Sequence, residues 1–155
     1  MKKSAVLLAV WMVVLVIGSA AADSYGWIMC QPDSQVNIRA RPKKSSEVVC
    51  VGFCGDRVEL DGKRKGPWVH VIVPCESGEG WIHSGYLAID DEPDDVGSGI
   101  FITLKDKVNA RACIGGRIRK KLKKGAKLTV YLLTGEWSLT SEGFIKTEYL
   151  MEVPE

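Results

Sequence analysis

The stretch GWIHSGYL, from Gly80 to Leu87, returns in altered form as GFIKTEYL, from Gly143 to Leu150. Both copies run glycine, aromatic, isoleucine, a polar residue, two variable positions, tyrosine, leucine. A second pair lies upstream of them, VNIRARP starting at Val36 and VNARACI starting at Val108. Two different motifs that recur in the same order mark a tandem repeat. The spacing between them differs in the two copies, and connecting loops absorb such differences at little cost.

The amino terminus stands outside the repeats. Lys2 and Lys3 precede the apolar run AVLLAVWMVVLVIGSA, and Ala20-Ala21-Ala22 follow it. This basic, apolar, small-residue order reads as a secretory signal over residues 1–22, since the run is shorter than the roughly 20 residues that span a bilayer. The expectation is a secreted or cell-envelope protein with no stable membrane insertion after cleavage. Retention of the segment as an anchor is the other reading.

Charge is segregated along the chain. The whole sequence has 21 Lys and Arg against 19 Asp and Glu, and two of the lysines lie in the signal segment. Residues 100–150 hold 11 basic and 4 acidic side chains, whereas AIDDEPDDVGSG, Ala88 to Gly99, holds five acids and no base. The acidic stretch reads as a solvated, flexible linker. The order is then signal (1–22), first module (23–87), linker (88–99), second module (100–150) and a short tail (151–155). Modules this small support one compact β architecture each.

Within the modules VNIRA, EVVCVGF, DRVEL and WVHVIVP are short, rich in Val and Ile, and punctuated by turn-formers such as Asp61-Gly62 and Ser77-Gly78. IFITL, AKLTVYLL and EWSLTSEGFIK repeat the pattern. Only Arg117 to Lys124 offers a weak helical spacing. The chain therefore reads as all-β.

The succession V-N-x-R, a valine-rich strand, a glycine turn (Gly55; Gly125), a strand, a tryptophan (Trp68; Trp137) and G-[WF]-I-x-x-x-Y-L resembles the bacterial SH3 (SH3b) domain, present twice. The second copy departs where Trp81 becomes Phe144, where Ile38 becomes Ala110, and where the RP after V-N-x-R becomes CI. The resemblance implies two small SH3-like β-barrels in tandem, a fold often appended to cell-wall enzymes, where it binds peptidoglycan. The glycine of G-[WF]-I is expected to make a tight turn, letting the ring close the barrel.

The cysteines bear on stability. Cys30, Cys50, Cys54 and Cys75 lie in the first module and Cys113 alone in the second. Four thiols in one exported domain suggest disulfides with three possible connectivities, Cys54 with Cys75 being the expected pair, while reduced and buried thiols are the alternative. The same cysteines with His70 and His83 lack paired C-x-x-C spacing, so no metal site is expected. No cofactor is expected either. The catalytic motifs G-x-S-x-G, H-E-x-x-H and the P-loop are missing from the sequence. A Cys-His hydrolase has no separate domain to support its dyad, and the expectation is a non-enzymatic protein.

The expected ligand is bacterial cell-wall peptidoglycan, its peptides or another anionic wall polymer, with an extracellular protein partner as the alternative. Candidate contact residues are Arg39, Trp68, Trp81 and Tyr86 in the first module, with Arg111, Trp137, Phe144 and Tyr149 at corresponding positions of the second. The same aromatics also suit a core or barrel-closing role, and Arg39 and Arg111 also suit bracing. Lys120, Lys121, Lys123 and Lys124, in RIRKKLKKGAK, form either an anion-attracting patch or a protected strand edge. Nucleic acid is not expected as a partner, because the basic run has no interleaved aromatics.

Overall fold

A computed structural model describes residues 24–154. The expected signal segment lies outside the described residues. Among those residues no helix is long and apolar enough to cross a membrane.

The chain is all-β. The first half forms β1 (Ser24–Ile28), β2 (Gln35–Arg39), β3 (Val48–Phe53), β4 (Arg57–Lys65), β5 (Trp68–Ile72), β6 (Glu79–His83) and β7 (Leu87–Ile89). The second forms β8 (Asp94–Thr103), β9 (Val108–Arg111), β10 (Ile118–Leu122), β11 (Lys127–Leu133), β12 (Trp137–Thr140), β13 (Gly143–Lys146) and β14 (Leu150–Glu152). The two quoted octapeptides fold alike. Each supplies a strand, a 3-10 turn (Ser84–Tyr86; Thr147–Tyr149) and a closing strand.

Both halves are antiparallel seven-stranded sheets of identical topology. The first runs β3-β2-β6-β5-β4-β1-β7 and the second β10-β9-β13-β12-β11-β8-β14. Alternation explains the faces: in β2, Val36 and Ile38 are buried while Gln35 and Asn37 are exposed. The first core joins Ile28, Val36, Ile38, Val58, Val69, Val71, Ile82 and Leu87, with Val49 and Cys50 packed against it. Residues of the edge strands β3 and β7 thus meet in one core, which requires a strongly bent sheet. The second core uses Phe101, Val108, Ala110, Leu122, Leu128, Val130, Ile145 and Leu150 in the same manner. The expected barrels are not closed by hydrogen bonds, for the ladders leave β3 and β7, and β10 and β14, as edges.

Several local expectations are corrected. Asp61-Gly62 is not a turn between strands; it lies within β4, where the pairing with β5 shifts register between Leu60 and Arg64 and Gly62 adopts φ +81°. Arg117 to Lys124 is not helical but contains β10, whose backbone pairs with β9. The expected 151–155 tail supplies most of β14. The 88–99 segment is not a free linker: β7 extends through Ile89 and β8 begins at Asp94, where Asp94 and Asp95 pair with Leu133 and Leu132 of β11. Backbone pairing holds this strand while the Asp94 and Asp95 side chains face solvent.

The halves also share a third core. Met29 and Ala88 of the first pack with Leu132, Trp137, Leu139 and Phe144 of the second, and Cys54, Ile114 and Tyr131 border them. Asp91 fixes the crossing, its carboxylate accepting the Gly135 amide at 2.9 Å and the Glu136 amide at 3.1 Å. Ile114 N–H donates to Gly85 O at 2.8 Å, and the Gln31 side-chain amide donates to Thr140 O at 3.1 Å.

Candidate binding cleft

The repeated motifs position a cleft between the halves. At the glycine of G-W-I, a side chain would collide with its neighbours: a Cβ on Gly80 would lie 2.6 Å from Ile38 and 3.1 Å from Arg39 O. Gly143 meets Arg111 O at 2.5 Å in the same way and has φ +117°. The glycine therefore admits a close strand approach rather than making a tight turn. That approach sets Trp81 opposite Arg39 and Phe144 opposite Arg111.

The two arginines brace loops. Arg39 donates to Ser46 O at 2.7 Å, and Arg111 donates to Gly116 O at 2.7 Å. A charge-assisted bond of this kind fixes each loop against its strand. In both halves the acceptor of the brace is a backbone carbonyl.

Between the loops so held lies a cleft of about 1060 Å³. The first half contributes residues 30–44 in part, with Trp68, His83 and Tyr86; the second contributes Ala112, Cys113, Arg117, Arg119, Gly143 and Phe144. Its cations are Arg39, Lys43, Lys44, Arg117 and Arg119, and among the described residues no aspartate or glutamate lines it. Among the described residues none of the five is in an ion pair. Trp68 and Tyr86 are half-buried and flank His83, whose ring lies 5.6 Å from Trp68 and 6.2 Å from Tyr86 in edge-on contacts. The Gly85 amide donates to His83 Nδ1 at 3.1 Å, so in the neutral ring Nε2 carries the proton. Cys113 is half-buried, and burial raises its thiol pKa.

Such a lining suits an anionic chain with apolar faces. Guanidinium groups take carboxylates in bidentate fashion, ammonium groups add positive field, and aromatic edges accept flat or aliphatic surfaces.

The remaining candidates lie elsewhere. Trp81 packs edge-on against His70 at 4.9 Å, outside the cleft. Trp137 is buried in the shared core beneath Lys146, which lies 4.6 Å from its ring and also pairs with Glu136. Tyr149 carries Lys105 over its ring at 3.6 Å. Lys120 and Lys121 are exposed on the edge strand β10 and Lys123 and Lys124 on the following turn, with Lys120 bonded to Glu142 at 2.8 Å. None of these four lysines lines the cleft.

Sequence reasoning missed Lys43, Lys44, His83, Arg117 and Arg119 as cleft residues. A signal existed for the last two. They alternate about Ile118 at the start of the basic run, and strand geometry puts such residues on one face.

A family model for the bacterial SH3 domain matches residues 34–88. No curated protein matches the chain. Among solved structures the chain is similar to NlpC1 from Trichomonas vaginalis, at 13% identity over 86% of this chain and 47% of that one, with a TM-score of 0.38. It is also similar to NlpC2 from Trichomonas vaginalis, at 12% identity over 83% of this chain and 48% of that one, with a TM-score of 0.37. The chain spans about half the length of each of these two proteins.

Proposed function

We propose that this is an exported, non-enzymatic binding protein whose two halves are copies of one bacterial SH3-like domain, and that the cleft between them holds bacterial peptidoglycan through its carboxylate-bearing peptides. The observation that carries this reading is the cleft's composition: five unpaired cations and no carboxylate beside Trp68 and Tyr86. The family match over residues 34–88 supports the ligand class, and the shared strand order supports the second copy. The basic, apolar, small-residue order of the first 22 residues supports export.

A Cys-His hydrolase is the competing reading, because Cys113 and His83 line the same cleft. Two features weigh against it. Burial raises the Cys113 thiol pKa, which disfavours the thiolate, and His83 Nδ1 is already occupied by the Gly85 amide. Incubating the full chain with purified insoluble peptidoglycan tests the proposal. Retention without release of soluble fragments is the expected result. Fragment release would favour the hydrolase, and lack of retention would favour an adaptor for an extracellular protein.

A further inference from the structure

We propose that the first half is cross-linked by two disulfides, Cys30–Cys54 and Cys50–Cys75, leaving Cys113 as a free thiol in the cleft. This differs from the Cys54–Cys75 pair expected from the sequence.

The first pair follows from the backbone. Ile28 N–H donates to Asp56 O at 2.8 Å and Gly55 N–H donates to Ile28 O at 2.7 Å. The chain leaving β1 therefore runs antiparallel beside the turn before β4, which puts Cys30, two residues past Ile28, alongside Cys54, one residue before Gly55. Both side chains enter the first core. The second pair joins β3 to the β5–β6 turn. Ile38 pairs with Cys50, and the neighbouring Val49 reaches to 3.1 Å of a Cβ placed on Gly80, the second residue of β6. The turn carrying Cys75 is closed directly before β6, by Val73 N–H to Gly78 O at 3.2 Å and Gly78 N–H to Cys75 O at 2.9 Å. Cys50 and Cys75 also pack against the first core.

Each pair is divided into a proton donor and a ready nucleophile. The neighbouring Cys30 thiol lowers the Cys54 pKa to about 7, while Cys54 and burial together raise that of Cys30, whose Sγ–H donates to Ser34 O at 3.5 Å. Burial and the neighbouring Cys75 push Cys50 up to about 11, and its Sγ–H donates to Val51 O at 3.6 Å. Cys75 moves down: burial opposes the shift, but the neighbouring Cys50 and the hydrogen bond with Ser77 Oγ outweigh it. A thiolate beside a thiol is the arrangement that disulfide exchange requires.

Oxidation needs an external disulfide such as oxidised glutathione. The Cys54 thiolate attacks one sulfur of glutathione disulfide, forming a mixed disulfide and releasing one glutathione thiolate. The Cys30 sulfur, after giving its proton to that leaving group, attacks the Cys54 sulfur and expels the second glutathione. Two protein thiols are oxidised and one glutathione disulfide is reduced to two thiols. Cys75 and Cys50 react in the same order.

The test is thiol labelling and peptide mapping of the full chain equilibrated in a glutathione redox buffer. N-ethylmaleimide under native conditions and then in denaturant should modify Cys113 alone, and prior reduction should expose all five cysteines. Non-reducing peptide maps should contain Cys30 linked to Cys54 and Cys50 linked to Cys75. A Cys54–Cys75 peptide, or five labelled thiols after oxidation, would overturn the proposal. The variants C30S and C50S guard against a mapping artefact: each should free its own partner for labelling while the other bridge persists. Scrambled bridges in both variants would count against the assigned pairs.

Discussion

Replacing Met29 by alanine probes the contact that joins the two halves. Met29 is fully buried and belongs to the core that contains Leu132, Trp137, Leu139 and Phe144, all from the second half. Truncation removes three heavy atoms from that core. Loss of the transfer energy, with the cavity left behind, should cost about 2–4 kcal/mol. Most of that loss falls on the coupling between halves, because four of the five residues sharing this core with Met29 lie across the boundary. Calorimetric melting of the full chain under reducing conditions should give one transition for the parent. In the Met29→Ala variant that transition should shift down and split, as the halves begin to unfold separately. A change within about 0.5 kcal/mol, the range of an ordinary surface substitution, would refute the reasoning, as would two independent transitions in the parent.

Other expectations follow from particular contacts. Gly143→Ala should destabilise the second half strongly, because φ +117° and the approach of Arg111 O to 2.5 Å leave no room for a Cβ; urea unfolding would reveal an unaffected midpoint if this is wrong. Gly85→Ala should weaken the junction and narrow the cleft, since its Cβ would meet Cys113 Sγ at 2.6 Å; unchanged melting and unchanged native labelling of Cys113 would contradict it. At Asp61, burial works to raise the pKa, but hydrogen bonds from Lys63 and His70 prevail and lower it from 3.8 to about 2. Its carboxylate therefore adds stability above the unfolded pKa, and that share is lost as pH falls from about 4 to about 2. Asp61→Asn should flatten the stability profile in that window, and a profile parallel to the parent's would show that Asp61 contributes nothing there.

The likeness of the two halves was legible because corresponding residues meet similar local demands in each. Val36 and Ile38 face a core as Val108 and Ala110 do, and Gly80 and Gly143 both admit an arginine carbonyl. The junction left no such trace. Met29 has no periodic partner near it in sequence, and its buried neighbours across the junction, from Leu132 on, come about a hundred residues later in the chain. The acidic segment misled because composition reports side-chain solvation, whereas Asp94 and Asp95 are held by backbone pairing to β11. Only half of the cleft was visible. Arg39, Trp68 and Tyr86 stand in recognisable motifs, but Lys43 and Lys44 sit in a loop that only the bent sheet carries towards Arg117 and Arg119.

Binding of peptidoglycan through the cleft, as proposed, is separable from attraction by positive charge in general. Two full-chain variants remove equal charge: Lys43, Lys44, Arg117 and Arg119 to glutamine in the cleft, or Lys120, Lys121, Lys123 and Lys124 to glutamine along the edge of β10 and its turn. Their retention on insoluble peptidoglycan should be measured from low salt to about 0.15 M, where screening beyond about 8 Å suppresses diffuse attraction. The cleft variant should lose most of its retention at every salt concentration, while the edge variant should hold nearly the parent's level at the higher salt. Equal losses in both variants, or a larger loss in the edge variant, would contradict binding through the cleft.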